Sequence, residues 1–137
     1  MGGNKQTLNG IVVGGLGEGA YFISMQHYKN EIKKKLGFDA YPGTLNIKTG
    51  KNQIDSFKKF VSIRIDGYKS GDKFFWGACC HKAKIKNING SIIIPDLTKH
   101  ENIMEFIAPV HLKSALKLKN GDKIKIEIIG TKTGLSK

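Results

Sequence analysis

Thr44 and Asn46 flank Leu45 just after the turn-forming pair Pro42-Gly43. Alternate side chains of an extended chain share a face, so the Thr44 hydroxyl and the Asn46 amide point together while Leu45 points into the protein. Two neutral oxygen donors side by side make half a magnesium site, because Mg²⁺ prefers oxygen and takes its remaining ligands from water and substrate phosphates. Upstream lies Gly14-Gly15-Leu16-Gly17-Glu18-Gly19. Its alternating glycines (Gly15, Gly17, Gly19) let the backbone adopt positive φ and turn its N–H groups inward, a concave nest that holds phosphate without side chains. Loop and oxygen pair together predict phosphoryl transfer, with the metal binding well only when nucleotide phosphate is present.

Each feature alone has a plainer reading: a glycine-rich hairpin loop, and polar residues on the wet face of a strand. The loop is not a Walker A motif, since no Gly-Lys-Ser/Thr follows. It is not a dinucleotide fingerprint either, because the spacing differs and a strand is expected after it. The sequence gives Glu18 no evident role.

A third candidate is Glu105, the one carboxylate inside the apolar run Ile103–Ala108. It shares a face with Ile103 and Ile107, and Met104, Phe106 and Ala108 share the other. A partly desolvated carboxylate has a raised pKa, suited to hydrogen-bonding a substrate hydroxyl or accepting its proton. A charged residue at a barrel mouth or strand edge reads equally well. Beyond it, Pro109 is expected to start a helix whose first N–H groups, near Val110 to Lys113, are free to meet an anion. Thr98 and His100 precede the strand, in reach of the same mouth.

The elements that must position these groups are mostly strands. Thr7–Val13 reads as a strand entering the glycine loop, and Ala20–Met25 as the next. His27–Leu36 reads as a helix, with Tyr28, Ile32 and Leu36 on one face and Gly37 as its cap. Thr44–Ile47 is a short strand and Asn52–Phe60 a short helix. Further strands are expected over Val61–Asp66, Phe74–Ile85, Ser91–Ile94, Ile103–Ala108 and Lys123–Ile129. Asn87-Ile88-Asn89-Gly90 is expected to turn one hairpin, Asn120-Gly121-Asp122 to lead into the last strand, and about Val110–Leu116 to form a helix. Seven or eight strands without βαβ order predict an antiparallel barrel.

At 137 residues, 39% hydrophobic and 25% charged, the chain reads as one globular domain with a loose tail over Thr131–Lys137. With no long apolar run and no signal-peptide pattern, a cytoplasmic protein without a membrane span is expected. A net charge of +12 raises nucleic-acid binding. Arg64, however, is the only arginine among 23 basic residues, and base reading leans on arginine's planar fork. A solvated basic surface that attracts a nucleotide triphosphate is the simpler expectation. Adjacent Cys79 and Cys80 face opposite ways in a strand and, with no second pair, predict no zinc site. His27, His81 and His111 share no metal-ligand spacing. Phe74, Phe75 and Trp76 suit either stacking on a flat ring or core packing.

Taken in order, Gly15-Leu16-Gly17-Glu18-Gly19-Ala20-Tyr21-Phe22, Leu36-Gly37-Phe38, Tyr41-Pro42-Gly43-Thr44-Leu45-Asn46, and Ile107-Ala108-Pro109 with Leu112 closely resemble the archaeal CTP-dependent riboflavin kinases, over nearly the whole chain. The resemblance implies an all-β, six-stranded cradle-loop barrel with two or three short helices. Such a domain transfers the γ-phosphate of CTP to the ribityl 5′-hydroxyl of riboflavin, giving FMN and CDP. By position, Gly15, Leu16, Gly17, Glu18, Gly19 and Ala20 hold the nucleotide, with Val110, His111, Leu112 and Lys113 completing its site. Thr44 and Asn46 bind Mg²⁺, and Thr98 and Glu105 contact the flavin end. Some members carry an extra N-terminal helix-turn-helix domain, which is not expected within these residues.

Lys113 departs from the family, where arginine is commoner, and a point charge loses bidentate contact. A monomer acting on riboflavin and CTP, without nucleic acid or membrane, is the resulting expectation. The alternative is a non-catalytic basic barrel that binds nucleic acid, flavin or nucleotide.

Overall fold

Alternation of apolar and polar residues closes the barrel. In the computed structural model, which describes residues 5–14, 25–57, 60, 62–96 and 102–129, the last strand, β9 (Lys123–Ile129), buries Ile124, Ile126 and Ile128 and turns Lys123 and Lys125 outward. The first, β1 (Lys5–Val13), buries Leu8 and Val12 likewise. Between them lie β2 (Leu45–Lys48), β3 (Ile63–Ile65), β4 (Tyr68–Ser70), β5 (Lys73–Phe75), β6 (Ala78–Ile85), β7 (Ile88–Pro95) and β8 (Ile103–Ile107). The order β6-β7-β8-β2-β1-β9 returns to β6 through Ala83↔Ile128 and Lys84↔Glu127, so six antiparallel strands close on themselves. β3 extends the sheet beside β6, and β4 and β5 form a separate hairpin.

Three helices complete the described chain: α1 (Gln26–Leu36), α2 (Lys51–Phe57) and the single turn α3 (Leu112–Ala115). The predicted face of α1 is the buried one: Tyr28, Ile32 and Leu36 pack with Ile65, Ala78, Cys80, Ile93 and Ile107 on the outside of the barrel. Gly37 ends the helix at φ 87°, a left-handed position that a side chain would strain. Polar contacts fix the helix in place. Lys35 Nζ donates to the Arg64 carbonyl at 2.9 Å, and Tyr28 Oη to the Trp76 carbonyl at 2.6 Å. A second core inside the barrel joins Leu8, Val12, Ile47, Ile92, Phe106 and Ile126, among others. The site is therefore built on a wall sealed from both sides.

Several boundaries differ from expectation. The hairpin before β7 turns at Lys86-Asn87, with Lys86 at φ 55°, and Asn89 and Gly90 lie inside the strand. Gly90 is there for space: a Cβ on it would sit 2.2 Å from the Ile107 carbonyl oxygen and 2.7 Å from the Phe106 ring. The expected long strand from Phe74 breaks at Trp76-Gly77, where the Trp76 carbonyl is taken by Tyr28 rather than by a strand. Of the strand expected over Val61–Asp66, Val61 lies outside the described residues and β3 ends at Ile65, the Asp66 carbonyl turning to His27 Nε2, 2.7 Å away. α2 covers Lys51–Phe57 of the described residues and Phe60 lies in an isolated bridge, while α3 begins at Leu112 rather than Val110, behind the bend at Pro109-Val110. The expected strand Ala20–Met25 and the tail lie outside the described residues, apart from Met25, which precedes α1.

Candidate active site

β2 brings the first two candidates together as alternation requires. Leu45 and Ile47 enter the barrel core, which leaves Thr44 and Asn46 on its outer wall. Asn46 is flanked by Val13 of β1 and by Glu105 of β8. Glu105 is half-buried on the same outer face, between Asn46 and Ile93, while its neighbours Met104 and Phe106 fill the barrel. This location differs from a barrel mouth: the carboxylate sits on the wall, beside the core covered by α1.

Thr44 Oγ1 donates a hydrogen bond to Glu105 Oε1 at 2.9 Å. A threonine hydroxyl has one proton and two lone pairs, so this bond commits the proton and leaves the oxygen able to coordinate a cation. Asn46 is 4% exposed, yet its Oδ1 finds no hydrogen-bond partner among the described residues. Leaving a buried amide oxygen unsatisfied costs about 1–3 kcal/mol, which makes a ligand that fills it favourable.

Both residues line a cavity of about 300 Å³, together with Val13, Tyr41, Phe106 and the Val110–Lys113 segment. Oxygen-ligand pair and predicted nucleotide segment thus share one cleft, although 64 residues separate Asn46 from Val110 in sequence. The backbone ties the two halves, with the Tyr41 N–H donating to the Ala108 carbonyl at 2.8 Å. The Tyr41 and His111 rings lie 5.1 Å apart at the rim. His111 Nδ1 is 2.6 Å from Ser114 Oγ, and Lys113 Nζ donates to Asn120 Oδ1 at 2.9 Å. Leu112 is buried and anchors the segment in the barrel core.

The expected nucleotide loop, Gly15, Leu16, Gly17, Glu18, Gly19 and Ala20, lies outside the described residues, as do Thr98 and His100. β1 enters that loop at Gly14, directly after Val13, which pairs with Asn46. Asn120, whose side chain reaches Lys113, was legible only as part of a turn. A larger groove of about 1160 Å³ lies along the outer face of β1 and β9, lined by Lys48, Lys123 and Lys125. None of the predicted site residues that the structure describes lines it.

The remaining candidates stand elsewhere. Cys79 is half-buried near Arg64, and Cys80 is buried beneath α1, where desolvation pushes its thiol up to about 12. Both are free thiols, as expected for ordinary strand residues. Phe75 stacks on Tyr68, while Phe74 and Trp76 meet edge to face on the exposed side of the hairpin. Core packing thus explains only one of these three aromatics.

A divalent metal fits the residues present: a buried neutral oxygen without a partner, a hydroxyl with free lone pairs, and a carboxylate beside them. Among the described residues no cluster of three or more His, Cys, Asp or Glu could cage an ion. Two neutral oxygen donors suit an ion that takes its remaining ligands from water and phosphate, as Mg²⁺ commonly does. No helix among the described residues is long and apolar enough to cross a membrane.

The fold is a closed β-barrel domain with a small cleft on its wall. The sequence pattern of the family described as "Domain of unknown function DUF120", short name CTP-dep_RFKase, matches residues 12–128, and the chain belongs to that family. It is 40% identical over 121 residues to a riboflavin kinase of Methanosarcina acetivorans, covering 85% of this chain and 51% of that protein. Identity to the riboflavin kinase of Pyrobaculum aerophilum is 40% over 127 residues, 89% of this chain and 60% of the relative. That of Methanocella arvoryzae is 39% identical over 127 residues, 92% and 58%. The chain thus spans about half to three fifths of the length of these curated relatives. Kinases of this family generally use a divalent metal.

Proposed function

We propose that this domain is a CTP-dependent riboflavin kinase, transferring the γ-phosphate of CTP to the ribityl 5′-hydroxyl of riboflavin to give FMN and CDP. The observation that carries the reading is that Thr44, bonded to Glu105, and Asn46, whose Oδ1 has no partner among the described residues, line one cleft with Val110–Lys113. Family membership and the names of the relatives supply the two substrates.

The roles follow the family resemblance, and the chemistry of each residue suits its role. Thr44 and Asn46 hold Mg²⁺, which when bound spreads the charge of the transferring phosphate. Gly15 to Ala20 wrap the phosphates with backbone N–H groups, and Lys113 adds positive charge from the Val110–Lys113 side of the cleft. Val110, His111 and Leu112 complete the nucleotide side, and Thr98 with Glu105 the flavin side. The riboflavin hydroxyl oxygen forms the new P–O bond as the bond to the β,γ-bridging oxygen breaks. Glu105 orients that hydroxyl and accepts its proton. Positioning and charge stabilisation account for most of the catalysis in such transfers.

Product formation tests this reading. Riboflavin with CTP and Mg²⁺ yields FMN, resolved from riboflavin by chromatography. No FMN with any nucleotide or divalent metal contradicts it and leaves a non-catalytic barrel.

A further inference from the structure

Asn120 lies in the turn before β9 and belongs to none of the motifs that define the site. Its side chain nonetheless reaches Lys113 Nζ, with a 2.9 Å separation from Oδ1. An ammonium only donates, so chemistry fixes the amide orientation: the oxygen faces Lys113 and the NH₂ group faces the other way. On that other side is Gly14, the residue that follows β1, since a Cβ built on it would lie 3.6 Å from Asn120 Nδ2. The turn itself is held to β1 by two backbone bonds, Gly121 N–H to the Val12 carbonyl at 2.7 Å and Val12 N–H to the Asp122 carbonyl at 2.9 Å. It is closed by Asp122 Oδ2, which accepts from the Lys119 N–H at 2.8 Å. A rigid turn therefore spans the strand that feeds the glycine-dense loop and Lys113, which among the described residues is the one lysine lining the cleft.

We infer that Asn120 is a positioning residue, holding the Lys113 ammonium toward the phosphates of the nucleotide and fixing it relative to the start of the loop. The inference rests on the kinase reading for the identity of the ligand. A lysine has a flexible four-carbon stem, and holding it in one rotamer removes an entropic cost that binding otherwise bears. Arginine presents a rigid fork; a lysine at this position needs an outside support, and Asn120 supplies it.

The test is steady-state kinetics on Asn120→Ala, Lys113→Ala and the double variant. Asn120→Ala is expected to raise the KM for CTP about tenfold, the scale of one hydrogen bond to a charged group, and to leave the KM for riboflavin unchanged. In the Lys113→Ala background the same change is expected to add nothing, because the two act as one unit. Asn120→Asp keeps an acceptor for Lys113 and is expected to recover most of the loss. If Asn120→Ala does not fold, Asn120→Ser keeps a turn-forming residue too short to reach Nζ and carries the same expectation. An unchanged KM for CTP in a folded variant, or losses that multiply in the double variant, overturns the proposal. Wild-type protein that binds CDP with Mg²⁺ in calorimetry but makes no FMN refutes the kinase reading alone. The tenfold loss is then required in the Kd for CDP, and its absence overturns the proposal. Wild-type protein that binds no CDP overturns both.

Discussion

Thr44 and Glu105, 61 positions apart, are joined by a 2.9 Å hydrogen bond in which the hydroxyl donates and the carboxylate accepts. The bond links two roles. It leaves the threonine lone pairs open to a cation, and in the proposed reaction it holds the carboxylate that receives the hydroxyl proton.

Removing either oxygen donor therefore acts first on the metal. Thr44→Val and Asn46→Ala are each expected to raise the Mg²⁺ concentration for half-maximal FMN formation on the order of 10- to 100-fold, the usual cost of disturbing a metal's immediate environment. Thr44→Ser retains the hydroxyl and stays near wild type. Titration of activity against Mg²⁺ at saturating CTP decides it, and an unchanged requirement removes the residue from the site.

Glu105→Gln keeps the shape and can still bond Thr44, but it cannot take a proton. A general base contributes roughly 10²- to 10⁴-fold, so kcat is expected to fall on that scale with little change in the KM for CTP. Turnover at saturating riboflavin equal to wild type refutes the base role.

The wall carrying Glu105 is supported from outside by α1. Ile32, fully buried against it, is expected to cost about 2–5 kcal/mol when truncated to alanine, measured by urea unfolding. A loss well under that range means that the helix is not a structural cover for this face.

Two carboxylates make stability sensitive to acid. The Arg64 guanidinium holds the Asp96 carboxyl below the usual range, and Lys35 does the same for Glu31. Their folded pKa values lie below the unfolded ones, so the stabilisation is present above the unfolded values and is lost as pH falls through the folded ones. The melting temperature is thus expected to drop as pH is lowered below about 4, and Asp96→Asn to flatten part of that limb. An identical acid slope in the variant contradicts the assignment.

Much of this was legible from residue order, and the reasons are local. Tyr28, Ile32 and Leu36 mark the buried face of α1 because helix period and burial agree, and Gly37 marks its end. Thr44 and Asn46 share a face because a strand alternates. The Thr44–Glu105 bond was not legible, since it depends on β2 pairing with β8, a contact that no local pattern encodes. Gly90 misled for a related reason: its need for space comes from Phe106 and Ile107 on another strand. Asn120 read as turn chemistry alone, because its reach to Lys113 depends on how β9 docks against β1.

The most direct test follows the phosphorus atom. CTP labelled in its γ-phosphate is incubated with riboflavin, Mg²⁺ and the protein, with γ-labelled ATP run in parallel. Label from CTP appearing in FMN, one CDP formed for each FMN, and scarcely any transfer from ATP is the predicted result. Label released only as inorganic phosphate, or none in FMN from either nucleotide, contradicts the account.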